Sequence, residues 1–217
     1  MTRLTKGFIF VFFFCAVTNI FAQSAVIQDL IGTVEIKTAG SAVWESARKG
    51  QALAPDTVIS TAFRSTALVQ AGSSVITVKP LTRMTLSEII VAEGAETLNV
   101  NLQAGRVRVD VTPPAGTKAT TTVTTPTATA SVRGTAFEID TVNLVVFEGT
   151  VVFYSSGVPV LVDAGRTSYV NEQNGRVALP EETTNFRPEL PFAFSGSASS
   201  ADSLDNVDLD VTVGFEQ

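Results

Sequence analysis

Histidine is absent from this 217-residue chain, and cysteine occurs once, as Cys15 in a stretch near the start that reads as a leader. Beyond that stretch the chain has neither residue. This excludes disulfides, thiol nucleophiles, imidazole general bases and every zinc site built from those ligands. Serine chemistry would have to use a lysine as its base, and Lys37, Lys49, Lys79 and Lys118 are the only lysines beyond the leader. Tryptophan occurs once, as Trp44. Basic residues are also scarce, so the net charge is −6. Nucleic-acid binding rests on Lys and Arg contacts to phosphate, and an acidic surface opposes it. No catalytic constellation and no cofactor site is expected from this composition.

What the chain does have begins with Arg3 and Lys6, followed by an apolar run from Gly7 through Val17 and the small residue Ala22. A basic start, a short greasy core and a small residue at the cleavage point are the parts of a secretory signal peptide. Residues 1–22 are therefore read as a signal peptide, with an uncleaved anchor as the alternative. The run is short for a span of about 20 residues, so no membrane span is expected after cleavage. Phe14 stands where a lipidation site wants a small residue before its Cys. Cleavage would remove Arg3 and Lys6 and deepen the net charge. The expected location is periplasmic, cell-surface or secreted.

From Ala25 onward, β-branched and polar residues alternate with period two, as in strands with one buried face. Val34 and Ile36, then Val75, Ile76 and Val78, then Val107, Val109 and Val111, then Phe137 and Ile139 carry the pattern. The one local helix candidate spans Ser87 to Ala95, and Gly94 argues against its being long. A glycine followed by a short strand recurs at Gly32, Gly105, Gly134, Gly149 and Gly175. Glycine suits a tight turn because a positive φ costs it no Cβ clash. The spacing is irregular, so this is no strict repeat. It still predicts an all-β fold of short stacked strands, β-solenoid-like, with a β-sandwich giving a similar pattern.

Residues 117–129 are rich in Thr and Ala around Pro126, and are read as an exposed strand or linker in preference to a glycosylated stalk. Past Pro180 the composition turns to Pro, Ser, Ala and acids. Residues 23–180 are thus the β domain, and residues 181–217 a partly disordered tail with a possible terminal strand. Phe186, Phe192 and Phe194 are candidates to tack the tail down, with 195–203 as a spacer. Asp202, Asp205, Asp208 and Asp210 invite a calcium reading. The alternation of Val207, Leu209, Val211, Val213 and Phe215 favours a strand with a solvated acidic face instead. Glu93 and Glu96, a carboxylate pair of the type glycosidases use, are read as solvated surface.

Taken in order, the glycine units and their flanks resemble the FecR domain family over roughly residues 31–170. The pieces are Gly32-Thr33-Val34, Trp44 ahead of Lys49-Gly50-Gln51, Asp56-Thr57-Val58, Ala104-Gly105-Arg106-Val107 and Ser131-Val132-Arg133-Gly134-Thr135-Ala136-Phe137. Phe147-Glu148-Gly149-Thr150 and Ala164-Gly165 close the series. The family's founding members are periplasmic parts of iron-responsive anti-sigma regulators. The resemblance implies a β-rich, solenoid-like domain that binds other proteins or envelope components and does no chemistry.

Arg133, Gly134, Thr135, Gly149, Gly105, Gly32 and Trp44 are accordingly read as mainly structural. Gly134 would sit at a sharp turn between strands, Arg133 would fan its guanidinium over free carbonyls there, and Trp44 would cap the core. The founding regulators carry a cytoplasmic sigma-binding segment before a membrane span, whereas only six residues precede the apolar run here. The domain is carried over and the anti-sigma activity is not. What is expected is a stand-alone exported module that binds an envelope protein, or, as the alternative, a structural or adhesive protein that binds glycan or peptidoglycan.

Overall fold

A computed structural model describes residues 25–92 and 94–180. The leader with Cys15, the tail with its acidic run and candidate strand, and Glu93 lie outside the described residues. Among those described there are strands and no helix.

Two open nine-stranded sheets share one core. The first runs, in spatial order, β18 (Arg176–Val177), β17 (Thr167–Asn171), β14 (Asn143–Glu148), β13 (Ala136–Asp140), β10 (Arg106–Val111), β7 (Ser74–Val78), β6 (Thr66–Ala71), β1 (Ala25–Ile31) and β4 (Ala52–Leu53). The second runs β16 (Val160–Asp163), β15 (Thr150–Tyr154), β12 (Thr129–Val132), β11 (Lys118–Thr124), β9 (Ala95–Ala104), β8 (Arg83–Ala92), β5 (Thr57–Thr61), β2 (Val34–Lys37) and β3 (Glu45–Ser46). The chain passes back and forth between the sheets and advances along both in one direction, mostly as antiparallel hairpins. At β9, β10 and β11 it makes a full circuit of the core. There β11 lies parallel to β9, with Val123 beside Val100.

Period-two burial explains why these residues form these strands. Val107, Val109 and Val111 point inward from β10, and so do Ile76 and Val78 from β7, Phe137 and Ile139 from β13, and Val34 and Ile36 from β2. Val75, next to Ile76, faces outward as the pleat requires. Phe137 and Phe153 are the largest fully buried side chains. Each such side chain contributes about 1.5–3 kcal/mol by leaving water. One buried polar link joins the sheets, where the hydroxyls of Ser74 on β7 and Thr121 on β11 lie 3.1 Å apart.

The all-β expectation holds, and neither sheet closes into a barrel. Two local readings are corrected. Ser87 to Ala95 is not a helix: it spans the end of β8 and the start of β9, which pair as a hairpin with Gly94 at φ 75° beside the turn. The β-branched run Ile89-Ile90-Val91 favours the pleated surface there. The Thr-rich stretch is neither linker nor exposed edge: β11 is an interior strand between β9 and β12, and Thr121 and Thr125 are buried. Pro126 falls in the turn after β11, where its missing N–H costs no ladder bond.

Candidate interaction surfaces

Four of the five recurring glycines, Gly32, Gly105, Gly134 and Gly149, lie where the chain changes sheets, while Gly175 lies in the turn of the β17–β18 hairpin. Gly105 alone separates β9 from β10, Gly149 alone separates β14 from β15, and Gly32 lies between β1 and β2. Neighbouring corners are tied together by polar bonds. The Thr33 N–H donates to Ser65 Oγ at 2.9 Å, the Thr82 N–H to Thr61 Oγ1 at 3.0 Å, and the Arg106 N–H to Thr82 Oγ1 at 3.0 Å. Ala164 N–H reaches the Gly149 carbonyl at 2.9 Å. At Gly105 there is no room for a side chain, because the backbones of Leu81 and Thr82 fill the space.

Gly134 differs. Its φ is 65°, but a Cβ there would meet only Pro113, at 3.5 Å, which is ordinary contact. Beside it, Thr135 is buried and touches the Gly149 corner. Arg133 is exposed and has no hydrogen bond or ion pair among the described residues. The expected fan of guanidinium over turn carbonyls is not there, because the corner satisfies its carbonyls through backbone bonds such as Val111 N–H to Thr135 O at 2.8 Å.

The outer face of the first sheet carries a charge ladder. Arg106 on β10 bonds Glu138 at 3.3 Å and Asp140 at 2.9 Å across the β13 ladder, and Lys79 adds a longer contact to Glu138 at 3.9 Å. Burial opposes ionisation of Asp140. The backbone N–H groups of Val142 and Asn143, the Asn143 side chain and Arg106 outweigh it and hold the carboxyl below the usual range. Arg108 forks onto Asp110 at 2.9–3.1 Å and lies 4.4 Å over the Phe147 ring. The Asp110 hydrogen bond keeps that guanidinium even more firmly charged than usual. These groups satisfy one another, which makes the face a structural brace.

Trp44 is half-buried and stands outside the core cluster, with Lys37 at 5.2 Å and Arg83 at 5.4 Å from its ring. It is therefore a cation-flanked clamp on the second sheet and not the core cap expected. Glu96 is more than solvated surface: its carboxylate accepts the Ser73 N–H at 2.7 Å. None of the four lysines was expected in a Ser-x-x-Lys arrangement, but Ser46 to Lys49 has that spacing. Ser46 is exposed, and Lys49 is an exposed partner of Asp29 at 3.3 Å, so the lysine is not desolvated as a base needs. Among the described residues no group of His, Cys, Asp and Glu is placed to hold a metal.

Two apolar features lack cover among the described residues. Phe63 (66% exposed) and Leu81 sit on adjacent corners joined by the Leu81 N–H to Ala62 carbonyl bond, and Leu81 holds φ 57°. A left-handed conformation costs a branched side chain about 1–2 kcal/mol. The other feature is a groove of about 730 Å³ at the end of the stack, between β16 and the β17–β18 hairpin. Val158 and Leu161 are 71% and 62% exposed on its rim. Sequence reading missed both features, since an exposed Leu or Val reads the same as a buried one in an alternating run.

The fold and its surfaces define a two-sheet, helix-free module with a braced exterior and apolar patches. Residues 57–152, just under half of the chain, match the family model described as FecR protein. Gly105, Arg133, Gly134, Thr135 and Gly149 lie inside the match; Gly32 and Trp44 lie before it. Two crystal structures of a Parabacteroides distasonis protein assigned as an anti-sigma factor are similar to part of the chain. Identities are 17% and 18%, with TM-scores of 0.46 and 0.47. Each alignment covers 56% of this chain and 57% of the other, so this chain spans just over half the length of those proteins. No curated protein matches it.

Proposed function

We propose that this protein is a non-catalytic interaction module of the bacterial cell envelope, exported by its leader and working by binding another protein. The FecR match over 57–152 carries the reading, since FecR-type domains are typically non-catalytic and occur in regulatory proteins. Composition supports it, because His is absent and Cys occurs only in the leader. The uncovered apolar corner at Phe63 and Leu81 and the groove beside β16 are the kinds of surface a partner covers.

The decisive experiment is crosslinking in intact producing cells, followed by affinity purification of the tagged full chain and mass spectrometry. One envelope protein in near-equal amount supports the reading, and N-terminal peptides from the same sample report whether residues 1–22 are removed. Glycan fragments in place of protein would move the function to a structural or adhesive role. Turnover on a panel of esters and glycans would overturn the non-catalytic part.

A further inference from the structure

Among the described residues the two sheets have four ends, and three of them are two-residue strands: β4 and β18 on the first sheet, β3 on the second. Short edges are how a β protein avoids unwanted pairing. β16 is the exception, with four residues hydrogen-bonded on one side to β15. Its other side has no strand partner among the described residues and borders the groove, whose wall makes that edge one side of a slot. Leu161 and Val158 line it with apolar surface, and Leu179 closes the far side at 51% exposure.

The groove is also a basic spot on an acidic chain. Arg166 and Arg176 both line it, and neither has an ion-pair partner among the described residues. The one carboxylate among the lining residues, Asp163, accepts the Thr150 hydroxyl at 2.8 Å. Arg106, Arg108, Lys49 and Lys79 have acidic partners, whereas exposed cations such as Arg133 have none among the described residues, so what marks the groove is two such guanidiniums beside one strand edge. Two unpaired guanidiniums beside an open strand edge select for carboxylates, which they grip with two hydrogen bonds each.

We propose that this groove receives an extended segment of a partner protein, which adds to β16 as a further strand and alternates apolar with acidic residues. Main-chain bonds to β16 would supply affinity, as in other strand-addition complexes. The side-chain alternation supplies specificity: one row meets Leu161, Val158 and Leu179, while the other meets Arg166 and Arg176. The proposal rests on the interaction-module reading and names the site and the chemistry of the partner segment.

The test uses the full chain with two short labelled peptides, one alternating Val with Asp and one alternating Val with Lys. Fluorescence anisotropy should show the Asp peptide binding at least about tenfold more tightly, a difference of about 1.4 kcal/mol. The double substitution Arg166→Glu with Arg176→Glu should abolish that preference while leaving the melting temperature unchanged. Hydrogen exchange should show Leu161 and Asp163 amides exposed in the free chain and protected on binding. Equal binding of both peptides, no binding, or protection elsewhere overturns the proposal. Protection of those amides before peptide is added means the slot is already filled, by this chain or a second copy, and overturns it too. If cellular crosslinking captures the same partner with the double variant, the groove assignment fails and the interaction-module reading stands. Loss of a partner that the unaltered chain captures supports both.

Discussion

Gly105 and Thr82 approach so closely that a Cβ on the glycine would stand 2.5 Å from the Thr82 Cα and 2.6 Å from the Leu81 carbonyl oxygen. Both obstacles are backbone, so no rotamer change relieves the clash. Gly105→Ala is expected to destabilise the domain by about 3 kcal/mol or more, as overpacking with backbone displacement does. Gly134→Ala meets only the positive φ and should cost about 1–2 kcal/mol. Urea denaturation of the two variants side by side checks the order; a larger loss at Gly134 would refute the corner assignment.

Asp140 supplies a pH-dependent prediction. Its folded pKa is depressed, so its stabilisation is fully present above the unfolded value of about 3.9 and is lost as pH falls through the folded pKa. Asp140→Asn should therefore lower stability by about 1–2 kcal/mol at neutral pH, with the gap narrowing on acidification below about pH 4. A gap that stays constant from neutral pH to acid would show that the charge contributes nothing.

The hydroxyl link between Ser74 and Thr121 crosses the core between sheets. Thr121→Val strands the buried Ser74 hydroxyl and should cost about 1–3 kcal/mol. Adding Ser74→Ala removes the orphan, so the double variant is expected to recover part of that loss. Additive losses in this cycle would mean that the two hydroxyls do not interact.

Trp44, the sole tryptophan, makes its surroundings visible by fluorescence. Replacing Lys37 and Arg83 by Ala opens both flanks of the ring. The expected result is easier acrylamide quenching, with a stability loss of about 0.5–1 kcal/mol per cation. Unchanged quenching would mean that the cations do not shield the ring.

Leu81 keeps an unfavourable backbone conformation while much of its side chain meets water. Leu81→Gly should leave the melting temperature unchanged or raised, because glycine relieves the strain. A large destabilisation would show that Leu81 serves packing.

The period-two pattern made the strands legible, and the glycine units marked the corners, because both depend on residues near one another in sequence. What those signals do not encode is which strand neighbours which. The Thr-rich stretch read as an edge because Thr tolerates water, yet Ala119, Thr121 and Val123 form one buried row of β11. Arg133 sits in the most recognisable stretch of the family pattern and makes no polar bond among the described residues, whereas Arg106, in a plain alternating run, anchors the charge ladder. The groove was invisible for the same reason: Arg166 and Arg176 meet only because β16 ends one sheet beside the β17–β18 hairpin that ends the other.

The parallel junction of β9 and β11 has a kinetic consequence. Among the described residues seven ladders join consecutive strands, as β6–β7, β8–β9 and β13–β14 do, and such hairpins form within about 1–10 μs. β11 reaches β9 only after the chain has crossed to the opposite sheet as β10 and returned, so loop-closure entropy is spent before Val123 meets Val100. Assembly of the two sheets thus waits on non-local closures of this kind, among which the β9–β11 seam is the one that runs parallel.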